Sequence, residues 1–235
     1  MSDLLFGTDG QRKYLTVQEQ SRLLAVAASK APHIATLCWT IAATGMRISE
    51  ALALSPASID LENGMIVTRC LKKRRDHVFR TIPIPDALIA SLVKVHEIAR
   101  DPSDDPRRRL WPVSRMTAYR WICDTMAQAG IIGPHASPKG LRHGFGVRAI
   151  QSGVPLNMVQ RWLGHADIRT TAIYTNAMGP EERALAARMW PDELPERQGW
   201  SASSAPDEGR RRPMMRIVDR VRTRHRPQTL LLRSF

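Results

Sequence analysis

Cysteine is scarce in this 235-residue chain: Cys38, Cys70 and Cys123 are all there is, and no two form a CxxC pair. That excludes a disulfide framework and a zinc ribbon. Long apolar runs are missing as well. No stretch approaches the roughly 18 residues that would span a bilayer, so no membrane partner is expected. The first residues, MSDLLFGTDGQRK, lack the basic-then-apolar order of a secretory signal, which points to a reduced, cytoplasmic compartment. Acids are in short supply: 22 Asp and Glu face 35 Lys and Arg, for a net charge of +13. An excess of that size suits a polyanionic partner, because phosphate binding releases condensed counterions. Apolar residues make up 43%, enough for a real core.

The charge is uneven. Residues 191–235 hold ten Arg and no Lys against six acids, a net +4. Up to Pro213 this stretch is rich in Pro, Ser and Arg, a composition that does not offset its own ordering entropy. The expected layout is therefore an N-terminal extension over 1–14, an ordered domain over 15–190 and a basic, flexible tail over 191–235. Within the tail, Met214, Met215, Ile217, Val218 and Val221 recur at helical spacing, an amphipathic helix over 214–226 or a nascent one. No internal repeat is visible.

Within the ordered part, Thr16 and Glu19 form a capping box that starts a helix. Pro32 suits a first turn, and Ile34, Leu37, Cys38, Ile41 and Ala42 then line one helical face up to Gly45. A second helix is expected over 46–54, stopped by Ser55 and Pro56. Residues 65–71 and 77–84 are rich in Val, Ile, Thr and Phe and read as a β-hairpin with the basic tip Lys72, Lys73, Arg74, Arg75. Pro85 and Asp86 open another helix. Ser114 caps one bearing Met116, Tyr119, Cys123 and Met126. Ser137 with Pro138 begins one that Gly153 closes, 155–163 forms a short one, and Asp167 caps the last through Ala177. The fold class is mainly α with a small antiparallel sheet (α+β), an order that fits neither a parallel α/β nor a β-sandwich architecture.

Four segments carry chemistry. Thr44 to Glu50 (TGMRISE) puts Arg47 in the first turn of a helix, where backbone N–H groups already favour an anion. Lys139 and Arg142 sit three apart near another helix start. His165 follows a helix end in LGH, and Tyr174 comes nine residues later. In this order the chain resembles the tyrosine recombinase (phage integrase) family over residues 15–189. That family's pattern is an arginine in TGxRxSE, a lysine on a β-hairpin, a HxxR box, LGH, and a tyrosine nine residues beyond that histidine. The resemblance implies the family's catalytic-domain fold, duplex DNA as partner, and cleavage of one strand through a 3′-phosphotyrosyl intermediate.

The residue types suit that chemistry. Charge builds on phosphate oxygens in the transition state, and two fixed guanidiniums, Arg47 and Arg142, hold them bidentately. His165 adds a hydrogen bond to the same phosphate. Tyr174 is the nucleophile; its phenol, with an ordinary pKa of about 10, needs nearby cations to ionise. Lys72 (or Lys73, since strand alternation does not settle which) is the general acid for the leaving 5′-oxygen. The cationic clamp leaves no need for a metal or other cofactor. Lys73, Arg74 and Arg75 are expected phosphate contacts, and Arg115 and Arg120 are phosphate contacts or a solvated face. His143 reads as structural, and Trp111 and Trp162 as packing residues.

Two departures stand out. Lys139 replaces the histidine of HxxR, so it is expected to support the phenolate electrostatically instead of acting as a base. Only 1–14 precede the domain where relatives usually carry a helical domain of about 100 residues, and weaker DNA binding by an isolated monomer is expected. The resulting reading is a site-specific recombinase, working as a homo-oligomer (a tetramer on paired sites) and nucleoid-associated when bound to DNA. The rivals are a catalytically silent DNA-binding relic or accessory factor and a type IB topoisomerase-like relaxing activity.

Overall fold

The structure is a computed structural model; it describes residues 5–69, 79–98, 105 and 108–177. The basic hairpin tip, the tail and its expected helix over 214–226 lie outside the described residues. The Thr16 capping box forms as expected: Thr16 Oγ1 accepts from the Glu19 N–H at 3.2 Å, and Glu19 Oε2 accepts from the Thr16 N–H at 2.9 Å. It starts α1 (Val17–Ala28). Pro32 opens α2 (Pro32–Thr44), which ends at Gly45 in the left-handed conformation. Thr36, Thr40 and Thr44 are buried along with Leu37, Cys38 and Ile41, so α2 is enclosed on most sides and serves as the central helix.

The helix expected over 46–54 is shorter, α3 (Ile48–Ala51). After it the amide bonds tighten, Ala53 to Glu50 and Leu54 to Ala51, and Pro56 disfavours a helical Ser55. The sheet has three antiparallel strands where two were expected. A short β1 (Ile59–Asp60) joins β2 (Met65–Arg69) and β3 (Phe79–Pro83) in the order β1-β2-β3. In the β2–β3 register Ile66 faces Ile82 and Thr68 faces Arg80, and all four are buried. One face of the hairpin thus carries an arginine into the interior.

Helices α4 (Asp86–His96), α5 (Arg115–Gln128), α6 (Pro138–Gln151) and α7 (Leu156–Leu163) follow the expected boundaries closely. The last expected helix divides into α8 (Arg169–Ala172) and a 3-10 turn, Ile173–Ala177. The β-branched Thr170, Thr171 and Ile173 are weak helix formers, consistent with that shortening. None of the described helices is long and apolar enough to cross a membrane.

Two apolar clusters hold these elements. The larger joins α1, α2, α4 and α5 to the sheet and contains Trp111, as expected of a packing residue. The smaller gathers Leu5, Phe145, Ile150, Val159, Leu163 and Tyr174 around α6 and α7. Leu5, from the expected extension, is therefore part of the packing around Tyr174.

Candidate active site

Arg142, in the second turn of α6, is 7% exposed. Its Nη1 donates to the Gly45 carbonyl at 2.7 Å and its Nη2 to the Leu163 carbonyl at 2.8 Å. Both acceptors end helices, where carbonyls are left unpaired and the dipole is negative. The guanidinium is thus locked between the ends of α2 and α7. Among the described residues no carboxylate lies within ion-pairing reach of it. Burial, and then the charge of Arg47, hold its pKa down to about 10, so it is still a cation at neutral pH.

Arg47 is the residue before α3 and is 24% exposed at its side chain. Glu50, wholly buried, fixes it: Glu50 Oε2 accepts the Arg47 N–H at 2.8 Å and Oε1 accepts Nη1 at 2.9 Å. The same carboxylate takes Arg80 from β3, with Nη2 to Oε2 at 2.8 Å and Nη1 to Oε1 at 3.3 Å. Arg80 Nε donates to the Trp162 carbonyl at 2.8 Å, so the hairpin is tied to the end of α7. Burial alone would raise the Glu50 carboxyl, but the Arg80 hydrogen bond and charge outweigh it and hold it below the usual range. The next residue after α7, Gly164, has φ 66°, and a Cβ there would come within 2.8 Å of Arg80 Nη1, so the turn requires glycine.

Tyr174 is 1% exposed. Its ring lies flat against α6 where Gly146 leaves room; a Cβ at Gly146 would stand 2.5 Å from Tyr174 Cζ. The hydroxyl meets His143 Nδ1 at 3.2 Å. Burial pushes the phenol up to about 12, while the charges of Arg142 and Arg47 pull it the other way. Both guanidiniums therefore act on this oxygen. Ionising such a phenol at pH 7 costs about 7 kcal/mol. The His165 ring stacks on the Tyr174 ring, with centroids 6.3 Å apart and planes 17° from parallel. His165 Nδ1 is 2.9 Å from the hydroxyl of Thr171. Burial, then Arg142 and Arg47, push His165 down to about 3, which leaves it neutral.

The structure thus brings together Arg47, Arg142, His165 and Tyr174. Lys139 is exposed at the start of α6, and its charge contributes to keeping His143 neutral. Arg115 and Arg120 are exposed on α5. Lys72, Lys73, Arg74 and Arg75 lie outside the described residues. Trp162 is half-buried beside the site and packs on Phe145, as expected. Among the described residues no cluster of His, Cys, Asp and Glu could hold a metal ion.

Two residues at this site, Glu50 and Arg80, were not singled out from the sequence. Glu50 stood unused within the TGMRISE box. Arg80 carried a signal, since it alternates with Ile82 on the apolar face of its strand. His143, read from the sequence as structural, touches the Tyr174 hydroxyl, because the Tyr174 ring crosses α6 at Gly146.

The model of the family described as "Phage integrase family" matches residues 13–179. The chain is 32% identical over 173 residues to the tyrosine recombinase XerD of Neisseria meningitidis serogroup A, covering 69% of this chain and 57% of that protein. The chain therefore spans just over half the length of that relative. Among solved structures it is similar to XerA recombinase (TM-score 0.61, 26% identity, 77% of this chain and 66% of that one). It is equally similar to XerH bound to a palindromic difH substrate in a post-cleavage complex (TM-score 0.61, 26% identity, 76% and 53%). With the mainly helical fold, the three-stranded sheet and the ordered Arg, Lys, Arg, His and Tyr motifs, these matches place the chain in the phage integrase family.

Proposed function

We propose that this chain is the catalytic part of a site-specific tyrosine recombinase, which cuts and rejoins duplex DNA through a 3′-phosphotyrosyl intermediate. The observation that carries the reading is the buried Arg142 guanidinium, pinned by two helix ends and acting with Arg47 on the Tyr174 oxygen. A cationic surface held this firmly needs no reorganisation when charge develops on a phosphate. Relatives match by name, and one similar structure was solved on its DNA substrate after cleavage.

In this reading Arg47 and Arg142 grip the non-bridging oxygens of the scissile phosphate. His165 is neutral; with Nδ1 accepting from the Thr171 hydroxyl, its Nε2–H donates to the same phosphate. Lys72 protonates the 5′-oxygen as it leaves, Lys139 lends positive charge near the phenol, and the basic tip with Arg115 and Arg120 contacts flanking phosphates. The bond energy stays in the phosphotyrosine, so a second 5′-hydroxyl religates without ATP. Paired sites imply a homo-oligomer, a tetramer, acting in the cytoplasm. Because Tyr174 is enclosed in the smaller cluster, its ring must shift before its oxygen reaches phosphorus, which makes exposure of Tyr174 part of the reaction.

The test incubates the protein with supercoiled plasmids carrying DNA from its own genomic neighbourhood and sequences any strand trapped on protein. Adducts at one sequence, with exchange between two copies, support recombination. Relaxation without site preference points to a topoisomerase-like activity, and DNA binding without adducts points to a silent DNA-binding protein.

A further inference from the structure

Ionising a buried phenol requires somewhere for its proton to go. Among the described residues His143 is the group in hydrogen-bond contact with the Tyr174 oxygen. His165 is stacked on the ring and engaged at Nδ1 by Thr171. Lys139 is exposed, and among the described residues no hydrogen bond joins it to the Tyr174 oxygen. We infer that His143 Nδ1 is the base that takes the Tyr174 proton once a DNA phosphate is clamped by Arg142 and Arg47. This inference rests on the recombinase reading of the same site.

Hydrogen-bond bookkeeping supports the direction. His143 is 9% exposed, and its Nε2 has no partner among the described residues. If Nδ1 carried the hydrogen, both the phenol O–H and the Nε2 lone pair would be stranded. With the hydrogen on Nε2, the phenol donates to Nδ1 and only one N–H is left over. The arrangement with fewer orphans therefore aims the imidazole lone pair at the reacting oxygen.

The base is silent without substrate. Burial, then the charges of Lys139, Arg142 and Lys13, push His143 down to about 4. Lys139 and Arg142 belong to its own helix and Lys13 to the N-terminal segment; Tyr174 and His165 face it from the chain beyond α7. A phosphodiester anion held by Arg142 offsets part of that positive field, so the substrate itself raises the basicity of His143. Uncalled-for ionisation of the nucleophile is thereby suppressed.

The step balances. The Tyr174 O–H bond breaks and the proton passes to Nδ1. The phenolate lone pair forms the O–P bond, the P–O5′ bond breaks, and the 5′-oxygen keeps that electron pair and takes a proton from the general acid. In religation the 5′-hydroxyl returns its proton to the acid and attacks phosphorus. The tyrosyl O–P bond then breaks, and the imidazolium reprotonates the phenolate.

The test measures single-turnover formation of the Tyr174 adduct on the neighbourhood plasmid across pH 6–10, for the parent, His143→Asn and Tyr174→Phe. Asparagine places an acceptor near Nδ1 but takes no proton. His143→Asn is expected to lose on the order of 100-fold or more at pH 7 and to recover steadily toward pH 10, with unchanged DNA binding. Equal rates and the same pH profile would overturn the inference while leaving the recombinase reading intact. No Tyr174-dependent adduct from the parent would bring down both. Where His143→Asn does not fold, the 15N shifts of histidine in the parent decide without DNA: Nε2–H on His143 is expected, and Nδ1–H would overturn the proposal.

Discussion

Glu50 is wholly buried between two guanidiniums, and glutamine in its place removes a charge while keeping nearly the same shape. Oε2 accepts the Arg47 N–H and Arg80 Nη2, and Oε1 accepts Arg47 Nη1 and Arg80 Nη1. An amide keeps one oxygen. Whichever way it turns, its NH2 opposes two donors, so two charge-assisted hydrogen bonds are lost, at about 1.5–3 kcal/mol each. Arg80, nearly enclosed, also loses the charge of the Glu50 carboxylate. Relief of the buried carboxylate's own desolvation offsets part of this, which leaves a net loss of about 3–5 kcal/mol. That is a large share of the about 5–15 kcal/mol that holds a domain together. Urea unfolding at pH 7, followed by tryptophan fluorescence, should show the midpoint of Glu50→Gln lowered by about 1–3 M. Arg80→Met in the same background completes a cycle whose coupling should exceed about 1 kcal/mol. A loss below about 1 kcal/mol, or strict additivity, would refute the idea that Glu50 holds both arginines.

Acid should weaken the fold before its carboxylates titrate. Burial holds both His96 and His143 down at about 4, against an ordinary 6.5. The unfolded chain binds protons that the fold refuses, so stability is full above pH 6.5 and falls by about 2.7 kcal/mol per pH unit toward pH 4. His165, at about 3, acts in the same direction. Glu19, brought to about 2 by Arg12 and Thr16 against its burial, adds a second loss from pH 4.5 downward. Unfolding curves that do not change between pH 7 and 5 would contradict this. Gly146→Ala puts a methyl 2.5–2.7 Å from three Tyr174 ring atoms and should cost about 1–3 kcal/mol. It should also move the phenol titration from about 12 toward 10 as the ring is pushed outward; an unchanged melting temperature would count against the packing described. Lys139→Ala, at an exposed position, should leave the melting temperature alone and slow adduct formation. Cleavage at the parent rate would remove its electrostatic role.

What could be read from the residues was what is local. Thr16 with Glu19, Ser114 and Ser137 mark helix starts because a cap bonds within three residues, Pro32 marks one by its fixed φ in the first turn, and the structure keeps all four. Arg47, Arg142, His165 and Tyr174 were found through motif order; Arg47 and His165 lie beside helix ends and Arg142 in the second turn of α6, near the Ser137 cap. The Arg80–Glu50 pair spans thirty residues, and the Tyr174–His143 contact spans thirty-one. Neither leaves a periodic trace. The second depends on a glycine, Gly146, whose purpose shows only when a ring from another turn lies on it. The helix over 46–54 was overestimated because apolar spacing continues after the hydrogen bonds have tightened toward Pro56. The third strand, Ile59–Asp60, was missed because two residues carry no alternation.

The chemical claim at the centre is that the oxygen of Tyr174, and no other atom of the chain, takes the DNA phosphorus. The most direct measurement digests a trapped protein–DNA adduct with protease and nuclease and locates the residual nucleotide by tandem mass spectrometry. A 3′-linked nucleotide is expected on the tyrosine of the peptide containing IYT, and none from the Arg142→Ala protein. A nucleotide on any other residue, or an adduct that survives Tyr174→Phe, would contradict it.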